Sequence, residues 1–184
     1  MKEKIQTISN LPLYKIDSIF VAIICTEVLC VPDIGSTITT FRKMFPDVMI
    51  QGINPCYVFG KRHIFEVIKI ILESNRRKIK IAKRLEMELL LRLVGSNQVD
   101  KAIKIGGIKN NGSGCFLLLS EKKGQIIDSL KYLRKILGKQ NSNLLNETKE
   151  KMINICERFD FSCRNFNRKE FSKILTEKAA LVSL

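Results

Sequence analysis

The sequence predicts an α+β fold: a single compact domain over residues 1–184 in which a mixed or antiparallel sheet packs with helices. Three observations carry that expectation. Strand-like runs at Ser18–Thr26, Asp47–Gly52 and Cys115–Leu119 are scattered among longer stretches of helical spacing, without the regular βαβ rhythm of a parallel sheet. The 184 residues suffice for a sizeable core, and a hydrophobic content of 45% marks a globular chain. No internal repeat, long low-complexity tract or clear linker divides it.

Taken in order, Lys4–Ser9 alternates loosely and reads as a short edge strand, broken by Asn10-Leu11-Pro12. Ser18–Thr26 is dense and partly β-branched, as a core strand is. The wider segment Ile16–Val31 resembles a membrane span only superficially. Asp17 and Glu27 interrupt it, it falls short of about 20 apolar residues, and no cleavage-site pattern follows. No membrane role is expected, and the expected location is cytoplasmic. Val31-Pro32-Asp33 is a turn. Ile34, Ile38, Phe41 and Phe45 then recur at helical steps until Pro46 stops them. After the strand Asp47–Gly52 and the loop Ile53–Gly60, Lys61–Leu72 is helical, with Ile64, Val67, Ile68 and Ile71 inward. Lys61, Arg62 and His63 at its start oppose the helix dipole, a cost that marks a candidate functional patch.

The stretch Ile79–Lys109 organises the chain. Ala82, Leu85, Leu89 and Leu93 share one helix face, and Met87, Leu90, Leu91 and Val94 add a second flank, so this helix is buried on more than one side. Lys80, Arg84, Glu88 and Arg92 form the remaining stripe, where Glu88 can pair with Arg84 and Arg92 at about 0.2–0.5 kcal/mol each. Gly95 ends the helix. Asn97 is the expected N-cap of a second one, with Asp100 where a capping-box acid would sit, and Gly106-Gly107 stops it. The amides of Ser96–Val99, with the positive end of that helix, form a candidate anion site. An ordinary helix–helix corner is the alternative.

Beyond Asn110–Gly114, a turn, Cys115–Leu119 is too apolar to be a one-sided strand. Lys122–Leu137, Glu147–Phe159 and Arg168–Lys178 are helical, with loops at Gly138–Asn143 and Phe161–Asn167. The chain closes on the apolar Ala179–Leu184.

The formal net charge is +14, from 32 basic and 18 acidic side chains, which permits nucleic acid, an acidic protein or an anionic membrane as partner. Coding bias towards Lys, Asn and Ile would produce the same excess. The six cysteines include no CxxC pair and are read as buried reduced thiols. No phosphate-cradling glycine loop occurs, and Glu86 and Glu88 point to different helix faces, which argues against a carboxylate dyad. A hydrolase reading would need Cys56 and the lone His63 to share a cleft. No catalytic residue, metal ligand, cofactor or small-molecule substrate is therefore expected. A binding surface fits better, drawn from Asn54, Lys61, Arg62, His63, the corner Ser96, Asn97 and Gln98, and Lys104 and Lys109.

One ordered set of residues resembles a known family. Ile53, Asn54, His63, Ile81-Ala82-Lys83, Glu88-Leu89-Leu90, Arg92, Gly95, Gln98, Val99, Ala102-Ile103 and Gly107-Ile108 follow the order of the PRPK-binding (TPRKB-like, Cgi-type) subunit of the KEOPS complex. Glu177–Val182 resembles that family's closing segment, so the match covers residues 48–120 and the C-terminal segment 168–184. The resemblance implies a compact α+β fold and a protein that is not an enzyme. It implies an accessory subunit that docks on the kinase-like (PRPK-type) ATPase subunit and binds the single-stranded 3′ CCA end of tRNA. Catalysis of N6-threonylcarbamoyladenosine formation in tRNA would belong to other subunits. Ile174, Leu181, Val182 and Leu184 are the expected partner contacts, because an apolar chain end is unusual. The family's corner arginine is replaced by Asn97, which removes a planar five-donor group. The alternative is a protein-only adaptor of the kinase-like subunit without RNA contact.

Overall fold

The computed structural model describes residues 5–8, 11–159 and 166–182. In chain order its elements are strands β1 (Ile5–Ile8), β2 (Leu11–Ile16) and β3 (Ile19–Thr26), helix α1 (Ile34–Met44), strand β4 (Met49–Ile53) and helices α2 (Gly60–Arg76), α3 (Leu85–Val94) and α4 (Val99–Gly106). Strand β5 (Gly114–Ser120) and helices α5 (Lys123–Ile136), α6 (Lys149–Phe159) and α7 (Arg168–Leu181) follow. The fold class is α+β, and the sheet is antiparallel throughout, in the order β1-β2-β3-β5-β4.

The backbone groups into two compact units, one formed by residues up to Ile53 with Ile108–Ser142, the other by Asn54–Gly107 with the residues from Asn143 onward. The first holds the whole sheet. Ala22, Ile24, Ile50, Phe116 and Leu118 lie on one sheet face and pack with Phe41 of α1 and Ile126, Leu130 and Leu133 of α5. The alternate residues Val21, Ile23, Leu117 and Leu119 are buried as well, so both faces of β3 and β5 are covered.

Two features of the structure correct the sequence reading. The edge strand β1 ends at Ile8, before Asn10-Leu11-Pro12, but Leu11 and Pro12, taken as breakers, open a further strand, β2, paired antiparallel to β1 and β3. Its hairpin to β3 turns on Asp17 at φ 52, a left-handed position that Asp tolerates, so Ile16 faces Ile19 across a two-residue loop. The second correction concerns the thiols. Cys25 and Cys115 are directly opposed across β3 and β5 and are joined by a disulfide. Cys156 is disulfide-bonded too. Cys30 and Cys56 are free and exposed, so neither is the buried thiol that was expected.

The second unit is helical. The post expected from Ile79 begins only at Leu85: Lys78 sits at φ 61, Arg84 is extended, and Ile81–Arg84 form bends. Glu86 and Glu88 explain the shift, since acidic side chains favour the first turn, where the helix dipole is positive. From Glu88 to Val94 every residue of α3 is buried. Gly95 then adopts φ 64, its amide bonds to Arg92 O at 3.3 Å, and the Ser96 amide bonds to Leu91 O at 3.0 Å. That pair of bonds is a Schellman stop, which needs a residue comfortable in the left-handed region.

Candidate nucleic-acid interface and docking edge

The corner between α3 and α4 is the anion-site candidate of the sequence, and its capping differs from expectation. Gln98 is the N-cap of α4, without a side-chain cap bond, and Asn97 lies one residue outside. The Ser96 hydroxyl accepts from the Gln98 amide at 3.2 Å, and the Ser96 amide donates to Leu91 O. Two of the four amides expected to face an anion are thus satisfied internally. Asn97 and Gln98 remain exposed, while Ser96 is buried.

The other candidate residues are distributed unevenly. Asn54 caps a short 3-10 turn, its side chain accepting from the Cys56 amide at 3.0 Å, and its own amide donates to Gly106 O at 2.7 Å. This joins Asn54 to the far end of α4, two residues beyond the exposed Lys104. Lys61 and Arg62 are exposed on the first turn of α2, which has no acidic residue there. Arg62 lines a cleft of about 650 Å³ with Glu66 and, from the α7 side, Asn167, Lys169, Lys173 and Glu177. Lys109 is exposed but belongs to the sheet-containing unit.

His63 requires a correction. It is 2% exposed, and its Nδ1 accepts from the Phe59 amide at 3.4 Å. Burial pushes its pKa down to about 4, so the ring is neutral at physiological pH. It is a core residue that holds the entry to α2, and it presents no group to a ligand. The same placement removes the hydrolase reading, since Cys56 is exposed while the imidazole is enclosed. Among the described residues, no group of three or more His, Cys, Asp or Glu is placed to hold a metal ion. No described helix is long and apolar enough to cross a membrane.

Sequence reasoning named the Glu88–Arg92 pair but not its burial. Expected as a weak pair on the stripe left over by the apolar faces, it is enclosed, with Glu88 at 0% and Arg92 at 2% exposure. Arg92 Nε and Nη2 donate to Glu88 Oε1 at 3.0 and 2.9 Å, and Nη2 also donates to Ser74 Oγ at 3.1 Å. Nη1 donates to the carbonyls of Ala179 at 2.8 Å and Ala180 at 3.3 Å. All five guanidinium N–H groups are used, on three helices at once. Removing Arg92 alone would strand a buried carboxylate, at a cost of about 3–5 kcal/mol. The signal available in sequence was the unusual apolar breadth of α3, which left only one narrow polar stripe.

Of the expected docking residues, Ile174 is half-buried, Leu181 is 57% exposed at the end of α7, and Val182 is half-buried just beyond it. Leu184 lies outside the described residues. The inward face of α7 is Phe171, Ser172, Leu175 and Ala179, with Phe171 edge-on to Phe59 at 4.7 Å between ring centroids. Asn167 and Glu170 close a capping box at its start.

No protein-family model matches the chain. It is 29% identical over 109 residues to the lipoyl synthase of Christiangramia forsetii, covering 55% of this chain and 37% of that protein. A mitochondrial lipoyl synthase of Nematostella vectensis is 28% identical over 109 residues, covering 55% and 38%. The chain thus spans little more than a third of either synthase. To the regulatory protein Cgi121 of Methanocaldococcus jannaschii it is 34% identical over 136 residues, covering 73% of this chain and 83% of that protein.

Proposed function

This chain belongs to the Cgi121 family, and from that membership we propose that it is a non-catalytic accessory subunit of a KEOPS-type complex. In this reading it docks on the kinase-like ATPase subunit through the end of α7. It also binds the single-stranded 3′ CCA end of tRNA, supporting threonylcarbamoyladenosine formation that other subunits catalyse. The observation that carries the reading is the match over most of a protein named as regulatory. Net charge of +14 and the exposed Lys61, Arg62, Asn97, Gln98 and Lys104 support the RNA part. The exposed apolar Leu181 supports the docking part.

Comparing whole tRNA with tRNA trimmed of its CCA end tests the RNA reading. Loss of affinity on trimming is expected, together with a steep fall of binding with salt. Equal affinity for both RNAs would refute recognition of the 3′ end. A second reading, a protein-only adaptor, is favoured by one observation: His63 and Ser96 are buried and two corner amides are already bonded. In that case tRNA would bind weakly, and docking on the kinase-like subunit would persist without it.

A further inference from the structure

We infer that Glu88 and Arg92 are positioning residues: their buried pair seats the last turn of α7 on α3 and so fixes where Leu181 and Val182 are presented for docking. The second half of that statement rests on the proposed docking role. The first half stands on geometry.

The last carbonyls of a helix have no partner within it and normally turn to water. In α7 the carbonyls of Ala179 and Ala180 instead accept from Arg92 Nη1, which enters from a helix buried from Glu88 to Val94. The positive charge also lies at the negative end of the α7 dipole. The remaining donors bind Ser74 of α2 and Glu88. Three helices therefore meet on one planar group, and a lysine, with a point charge and no fork, could not span the same partners.

Stability is a poor explanation for keeping this pair. Well-packed apolar residues of similar volume generally serve as well as a buried ion pair. Glu88 Oε2 is moreover buried without a hydrogen-bond partner, a cost that an apolar core would avoid. Direction is what the pair adds. The last turn of a helix ordinarily lacks internal partners for its carbonyls, yet α7 continues to Leu181, and that residue is 57% exposed. An exposed apolar residue held in one place loses little further freedom on binding, so pre-ordering it favours association.

The test uses the full chain carrying Glu88→Leu and Arg92→Met together, with Arg92→Lys as a milder second variant. Hydrogen exchange is followed at the amides of Lys178–Val182, and affinity for the kinase-like subunit is measured alongside thermal stability. The double variant is expected to keep its melting temperature, to lose protection at Lys178–Val182, and to bind about tenfold more weakly, within the range of ordinary coupling energies. Arg92→Lys is expected to shift in the same direction. Unchanged protection in both variants would overturn the inference whatever the binding result, as would lost protection with unchanged binding. If the wild-type chain itself fails to bind, the docking reading falls. Loss of protection would then uphold the seating of α7 alone.

Discussion

His63 offers the sharpest quantitative test of this structure. It is the only histidine in the chain, so its imidazole resonances are unambiguous in a proton NMR titration. The enclosed ring has its pKa pushed from 6.5 down to about 4 by desolvation. The unfolded chain therefore takes up a proton first as pH falls. The stabilising contribution of the neutral buried ring is complete above pH 6.5 and is lost as pH drops towards 4. Each pH unit across that interval is worth about 1.4 kcal/mol, so the whole contribution comes to about 3 kcal/mol. Urea unfolding at several pH values between 7 and 4 should reveal it when wild type is compared with His63→Asn, whose side-chain oxygen can still accept from the Phe59 amide. Carboxylates titrate in both proteins, so the difference between the two pH slopes isolates the imidazole. The variant should be less stable at pH 7 and should show the shallower slope. Parallel slopes, or a native imidazole midpoint near 6.5, would refute the burial argument and return His63 to the candidate RNA surface.

Two further substitutions probe the helical unit. Gly95→Ala forces a side chain into the left-handed region and drives its Cβ into the Phe159 ring. A loss of about 2–4 kcal/mol is expected from backbone strain and overpacking combined, read by urea or thermal unfolding, and a loss under about 0.5 kcal/mol would contradict the Schellman stop. Leu181→Asp with Val182→Asp should abolish co-purification with the kinase-like subunit while leaving the melting temperature within a few degrees, because Leu181 is 57% exposed. Retained co-purification would remove the end of α7 from the interface.

Much of the secondary structure was legible because hydrophobic period reports it directly. The runs in β3 and β5 and the inward residues of α1, α2 and α5 are visible as spacing, since burial of one face dictates residue type at fixed intervals. Boundaries were less legible. Pro12 reads as a breaker, yet the strand containing it pairs on both sides. Basic residues around Lys80 and Arg84 suited a helical stripe, but Glu86 and Glu88 at the dipole's positive end decided where α3 starts. Of the candidate site, the basic side chains were legible and their separation was not. Arg62 faces an α7 cleft, Lys104 lies near the end of α4, and Lys109 belongs to the other unit.

Sequence alone determined the α+β class, the helical and extended runs and the ordered residues that mark the Cgi121 family, because each depends on local spacing or residue order. Tertiary structure decided the environment of the polar groups. Cys25 meets Cys115 at a sequence separation of 90 because strand register opposes them. Glu88 and Arg92 occupy a stripe that would be solvated on an isolated helix. It is enclosed only because Ser74 and the last carbonyls of α7 converge on it from 18 and 87 residues away. Helical periodicity identifies which side chains share a face. Which faces meet water depends on what the rest of the chain lays over them, and that is settled by packing.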